Sequence, residues 1–379
     1  MTGFARQELA LAALKTRNRY RRLEQRKGHD FSSNDYLGLA GSEFLRKAAQ
    51  AALERGVPVG SSGSRLLRGN DDEHELLEKE AAAFFQVERS LFFGAGYLAN
   101  TAIFSALPQQ GDLVVYDELV HASAHDGMRL GRAERTCFAH NDPNAAEDAI
   151  RNWRRAGNTG QIWLACEGVY SMEGDLAPVE ELAALADAHD CVLVVDEAHA
   201  TGLFGDTGRG LTHQISDKLN VLTLHTCGKA MGVAGALVCG AASMIETLIN
   251  RGRGFIFTTA PSPLNAALVR ASLDEIQHNP ARRQAAWALI RHAHQQAHEI
   301  CGMEGFSSQI LPVIVGDDQH TMDLAKRLQE NGFDIRGVRP PTVSIGTSRL
   351  RLSITLNTSD EIVSQMLSLL AEEFKDVAR

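Results

Sequence analysis

The sequence predicts an α/β chain: a large doubly wound sheet domain, a smaller C-terminal α+β domain, and an N-terminal arm ahead of both. Two observations carry this. Apolar runs without alternation recur as DLVVYD, QIWLACEG, CVLVVDEA, VLTLHT and GALVCG, and strands of that kind are buried on both faces by helices. After Pro263 the glycine and proline punctuation thins, and a long helical stretch leads into two further strands. We therefore divide the chain into an arm at 1–45, a large domain at 46–270 and a small domain at 271–379.

Taken in order, residues 1–28 read as an amphipathic helix with Leu9, Leu11, Ala12 and Leu14 near one face, followed by Lys15, Arg17, Arg19, Arg21 and Arg22. Asn70 and Asp71 cap an acidic first turn, and Leu76, Leu77 and Ala81 to Phe85 continue that helix. SLFFGAG reads as a strand ending in glycines, with helical YLANTAIFSAL behind it. Helices at 145–156 and 179–189 separate the apolar strands. A single long helix is expected from Leu264 to about Ile300, then strands LPVIVG and SRLRLSIT, then a final helix from Asp360.

The chain has 379 residues, 38 Lys and Arg against 47 Asp and Glu, and a formal net charge of −9. Such a length supports a sizeable core, and an acidic balance argues against nucleic acid as a partner. Six scattered cysteines without a C-x-x-C pair suggest neither a zinc ribbon nor a disulfide framework, which favours a cytoplasmic location. The N-terminus lacks an apolar signal region, and Ala230 to Ile245 is too short and Gly-rich to span a membrane.

Ligands of open α/β sheets sit outside the carboxyl ends of the strands. There the sequence places Glu167, Ser171 and Asp175, then Asp196 and His199, then Thr226 and Lys229, and the Gly94 to Gly96 turn. VVDEAHA with Gly228-Lys229 invites an ATPase reading. It fails because Thr223 and Ala230 stand where a P-loop needs Gly and Ser or Thr, and because the order is reversed. His121 and His125 have helical spacing for a metal pair but no third ligand nearby, so no metal is expected. Pyridoxal phosphate uses all the parts. A lysine forms a Schiff base with its aldehyde, a carboxylate keeps its ring nitrogen protonated, a flat side chain stacks on the ring, and a glycine turn opening a helix receives the phosphate. Lys229, Asp196, His121 and Gly96 can fill these roles, and Thr226 can reach the same phosphate.

The segments FSSNDYLGLA, VGSSGSRLLRGN, HASAHDGMRL, FAHND, EGVYSMEGD, VVDEAHATGLFGDTGRG, HTCGKAMGVAGA and RPPTV occur in this order across almost the whole chain. Together they resemble the α-oxoamine synthases. The resemblance implies a fold-type I, pyridoxal-phosphate-dependent transferase with a mixed sheet, active as a homodimer with shared sites. By the same resemblance, Lys229 is the Schiff-base lysine and Asp196 the pyridinium partner. His121 is the stacking ring that also meets substrate, and Ser171 and His199 contact the cofactor's 3′-oxygen. Gly96, Tyr97 and Thr226 bind the phosphate, and Thr258 and Thr259 reach the partner's phosphate. Arg351, Asn34, Thr342 and Arg21, or its neighbour Arg22, are implied substrate contacts.

In SRLRLSIT the alternation puts Arg349 and Arg351 on one face, and a guanidinium fork suits a carboxylate; Arg349 reads more simply as an edge-strand charge. Ala95 stands where relatives often have Ser, and Thr358 where many have His. The implied reaction is decarboxylative condensation of L-alanine with a pimeloyl thioester, carried on CoA or acyl carrier protein. A sibling activity with glycine and another acyl-CoA is the alternative, against which RPPTV and FAHND argue.

Overall fold

The protein is described here from a computed structural model covering residues 4–377. In chain order its first half comprises α1 (Ala5–Thr16), β1 (His29–Asp30), α2 (Glu43–Glu54), α3 (Asp72–Phe85), β2 (Arg89–Phe93), α4 (Gly96–Ala106), β3 (Leu113–Asp117), α5 (Ala122–Leu130), β4 (Glu134–Phe138), α6 (Pro143–Arg155), β5 (Ile162–Glu167), α7 (Val179–Ala188) and β6 (Cys191–Asp196). The second half comprises β7 (Val221–Thr226), β8 (Ala236–Gly240), α8 (Ala242–Arg251), α9 (Arg253–Ile256), α10 (Pro263–His278), α11 (Pro280–Cys301), β9 (Ile310–Gly316), α12 (Asp318–Glu330), β10 (Phe333–Asp334), β11 (Gly337–Val338), β12 (Ser348–Ser353) and α13 (Asp360–Val377).

These elements form two compact units. The larger holds Leu37–Ser171 and Asp175–Gln284; the smaller holds Met1–Tyr36, Met172–Gly174 and Ala285–Arg379. Residues 1–45, read above as an arm, divide between the units at Tyr36 and Leu37. The expected 270/271 boundary falls inside α10, all of which lies in the larger unit.

The larger unit is built on a seven-stranded sheet of order β2-β8-β7-β6-β5-β3-β4. β8 alone runs opposite to the other strands of this sheet. The carboxyl ends of β2, β3, β5, β6 and β7 therefore share one edge. Side chains within each apolar run sort to opposite faces. Val114, Trp163, Ala165, Val192 and Val194 pack in a core with residues of α4 and α5. Leu113, Val115, Ile162, Leu164, Leu193 and Val195 pack in a second core with residues of α6 and α7. Each fully buried Leu or Val contributes roughly 1.5–3 kcal/mol of transfer free energy, which explains why these strands carry no polar face. The edge strand β4, Glu-Arg-Thr-Cys-Phe, has only Phe138 buried and gave no apolar signal to read.

The smaller unit carries the antiparallel sheet β11-β12-β9 and the parallel pair β1-β10. Two sequence expectations change. The helix at the N-terminus ends at Thr16 and buries no residue. At about 100° per residue Leu9 and Leu11 stand roughly 200° apart, so they cannot share a face. The long helix after Pro263 is two helices, because Pro280 removes an N–H and biases Asn279 away from helical geometry; Asn279 has ψ 74°. No described helix is long and apolar enough to cross a membrane.

Candidate active site

In the larger unit the site grows from three adjacent strand ends. Asp196 ends β6, and both its carboxylate oxygens are held. Oδ2 accepts from Asn100 Nδ2 at 2.7 Å, and Oδ1 accepts from the Ala198 N–H at 3.0 Å. Asn100, a buried residue of α4, also lies 3.0 Å from Ser123 Oγ with the same amide nitrogen. Ser123 in turn meets His121, whose Nδ1 accepts from the Ser123 N–H at 3.2 Å and lies 2.8 Å from its hydroxyl. His121 is thus the N-cap of α5. Crowding by protein lowers its pKa, and the Lys229 charge acts in the same direction against the pull of Asp196. The imidazole is held as an uncharged flat ring with Nδ1 as acceptor.

Lys229 follows β7, and its Nζ lies 2.6 Å from His199 Nε2. His199 is buried in the turn after β6. Thr226, the last residue of β7, sits against the start of α4. A Cβ on Gly96 would meet Thr226 Cγ2 at 2.3 Å, so only glycine permits this approach. The N-cap of α4 is Ala95, which gives no side-chain cap, and the first-turn N–H groups are left without one. Tyr97 donates its hydroxyl hydrogen bond to Asp126 of α5. Ser171 is half-buried, with its N–H on Glu167 Oε2 at 3.2 Å. Beside Asp196, Glu197 is fully buried, and loss of water pushes its carboxyl up to about 7 despite the Thr212 and Leu211 hydrogen bonds that favour its charge. Thr258 and Thr259 follow α9 next to the exposed Phe257.

These residues fit pyridoxal phosphate. An amine at Lys229, an oriented carboxylate at Asp196, a neutral ring at His121 and an uncapped helix start cleared by Gly96 are the donor set that an aldehyde, a pyridine nitrogen, an aromatic ring and a phosphate require.

The smaller unit holds the other sequence candidates. Arg351 is buried on β12, with Nη1 on Ser353 Oγ at 2.7 Å and Nη2 at 3.4 Å from Tyr36 Oη. Tyr36 donates to Asn34 Oδ1 at 3.0 Å. Arg21 Nη2 donates to Thr342 Oγ1 at 3.0 Å, and both line a cavity of about 190 Å³ with Arg19 and Arg339. Arg22 instead lies over the Tyr20 ring. The reading of Arg349 as an edge charge is corrected: β12 is the middle strand of its sheet. Arg349 is buried and pairs with Glu173 at 2.9 Å and with the Met172 carbonyl at 3.1 Å, because a buried guanidinium needs a partner.

Sequence reasoning missed Asn100, Ser123 and Tyr36. A poor helix former at Asn100 inside an apolar helix was the one available signal.

The family model for class I and II aminotransferases matches residues 26–368. The chain belongs to this family. Among similar proteins is the 8-amino-7-oxononanoate synthase of Geobacter sulfurreducens, 40% identical over 353 residues, covering 91% of this chain and 88% of that one. Solved structures similar to this chain include a serine palmitoyltransferase from S. paucimobilis with a bound PLP–myriocin aldimine. Its TM-score is 0.89 at 26% identity, covering 99% of this chain and 98% of that one. An 8-amino-7-oxononanoate synthase from Francisella tularensis gives a TM-score of 0.77 at 26% identity, covering 93% and 99%.

Proposed function

We propose that this protein is a pyridoxal-phosphate-dependent acyltransferase that condenses L-alanine with a pimeloyl thioester to give 8-amino-7-oxononanoate, CO2 and the free thiol carrier, a step of biotin biosynthesis. The joint presence of Lys229, Asp196 and His121 at the strand ends of one unit carries the reading, and the similarity to 8-amino-7-oxononanoate synthases supports the substrates.

Lys229 is the residue to hold the cofactor, with Asp196 at its ring nitrogen, His121 against its ring, Ser171 and His199 near its 3′-oxygen, and Gly96, Tyr97 and Thr226 at its phosphate. When bound, pyridoxal phosphate supplies an aldehyde that captures an amine and a protonated ring that accepts the electron pair left at Cα. Lys229 Nζ, freed by the incoming amino acid, takes the Cα proton, with His199 Nε2 2.6 Å away to orient it. Arg351 and Asn34 hold the alanine carboxylate, and Arg21 with Thr342 meets the acyl donor. Alanine Cα bonds to the thioester carbonyl carbon, the C–S bond breaks and the thiol leaves. Loss of the carboxylate as CO2 follows, and a proton returns to Cα. In the same proposal the enzyme works in the cytoplasm as a homodimer, with Thr258 and Thr259 serving the partner's site.

The test is product mass. Purified protein with L-alanine and pimeloyl-CoA or pimeloyl-acyl carrier protein is expected to form 8-amino-7-oxononanoate, and the two rates identify the carrier. Turnover of glycine with another acyl-CoA, and none with alanine, would overturn the assignment in favour of a sibling synthase.

A further inference from the structure

The Tyr36 hydroxyl is fully buried in the smaller unit, between two of the residues assigned above to the amino-acid carboxylate. The contacts described for it direct its proton toward Asn34. Arg351 Nη2 lies 3.4 Å away and can only donate. Gln309, also fully buried, hydrogen-bonds the same oxygen and favours its negative charge, so its amide acts as donor. A phenol oxygen has two acceptor sites and one proton. With both acceptor sites taken, the proton goes to Asn34 Oδ1, 3.0 Å away. Burial raises the phenol's pKa, so the proton is retained.

This fixes an ambiguity that no primary structure resolves. An amide presents either an acceptor or a donor, and one anchored through Oδ1 must turn its NH2 outward. Asn34 is only half-buried, so that NH2 is the part left for a ligand. We infer that Tyr36 is a positioning residue for the amino-acid substrate: it locks Asn34 with its NH2 toward the substrate carboxylate while bracing the guanidinium of Arg351. The inference rests on the reading of Asn34 and Arg351 as carboxylate contacts and adds the orientation and its cause. The pair then selects for a free carboxylate, since one donates through nitrogen and the other is always cationic.

Two variants test it against L-alanine and L-alaninamide, which lacks the charged carboxylate. In Asn34→Asp the new side chain still accepts from Tyr36 but turns an acceptor to the carboxylate. The KM for L-alanine is expected to rise tenfold or more above that of Asn34→Ala, because both variants lose the amide hydrogen bond but only Asp sets a second negative charge against the substrate carboxylate. The KM for the acyl thioester and the cofactor's visible absorbance stay unchanged. In Tyr36→Phe the amide is free to turn, and the preference for L-alanine over L-alaninamide in spectral titration falls several-fold. If Asn34→Asp binds L-alanine as well as Asn34→Ala, or Tyr36→Phe keeps the full preference, the inference is overturned. If the wild type forms no product from L-alanine, it is the function that fails.

Discussion

Lys229 illustrates what one residue reveals and conceals. Its place after a buried strand, beyond an earlier strand-end acid, marks it in the sequence as the candidate cofactor lysine. Its 2.6 Å approach to His199 was not legible, because that contact depends on the turn that buries His199 behind β6. Lys229→Ala is expected to abolish turnover. Borohydride should fix cofactor to the wild-type lysine and leave the variant unlabelled by mass spectrometry. Retained labelling would move the attachment to another residue. Asn100 is the converse case. Nothing in its neighbours marks it as serving Asp196, and it does so only because α4 packs over the sheet and brings residues 96 positions apart to 2.7 Å.

At the scale of elements, FAHND has a structural explanation the motif alone did not carry. His140 follows β4 and bridges Asp117 at the end of β3, at 3.0 Å, and Asp175 in the segment before α7, at 2.7 Å. Asn141 adds its N–H to Asp117 and its amide to Asp175. Burial alone would push the imidazole pKa down, but the two carboxylates overcome it and hold it near 10. A histidine raised in the folded state stabilises fully below its unfolded pKa of about 6.5 and loses that contribution as pH rises toward 10. Chemical denaturation between pH 6 and 10 should show this decline. His140→Gln should remove most of the slope and cost roughly 3–5 kcal/mol at pH 6, as for breaking a buried ion pair. An unchanged slope would assign the pH dependence elsewhere. The helices show the same division of labour. The Asn70-Asp71 start of α3 was readable because its cap is local, with Asp71 accepting from the Glu73 N–H at 3.0 Å. The helix expected over residues 1–28 forms at Ala5–Thr16 but buries no residue, because its leucines are out of phase for a single apolar face.

For the whole molecule, a net charge of −9 must coexist with anionic substrates. In the proposed reaction attraction is then local, assigned to Arg351, Arg21, an uncapped helix start and Lys229, within about one Debye length. The cysteines fit a chain that needs no staples: all six are free, four are buried, Cys301 is half-buried and Cys137 on β4 is exposed. A thiol reagent should label Cys137 first in the native protein and all six after unfolding, and reductant should leave the Tm unchanged. A reductant-sensitive Tm would contradict the free thiols. The sequence by itself determined the buried strands of the sheet, the edge strand β4 excepted, and which residues stand at their ends. Burial on two faces demands unbroken apolar runs, and the residue at the end of each run except the antiparallel β8 inherits the ligand edge. Tertiary structure alone decided the charge states and orientations: His121 neutral, His140 protonated, Arg349 paired with Glu173, and Asn34 turned by Tyr36. Those depend on which partners replace lost water, and partners distant in sequence meet only when the chain has folded.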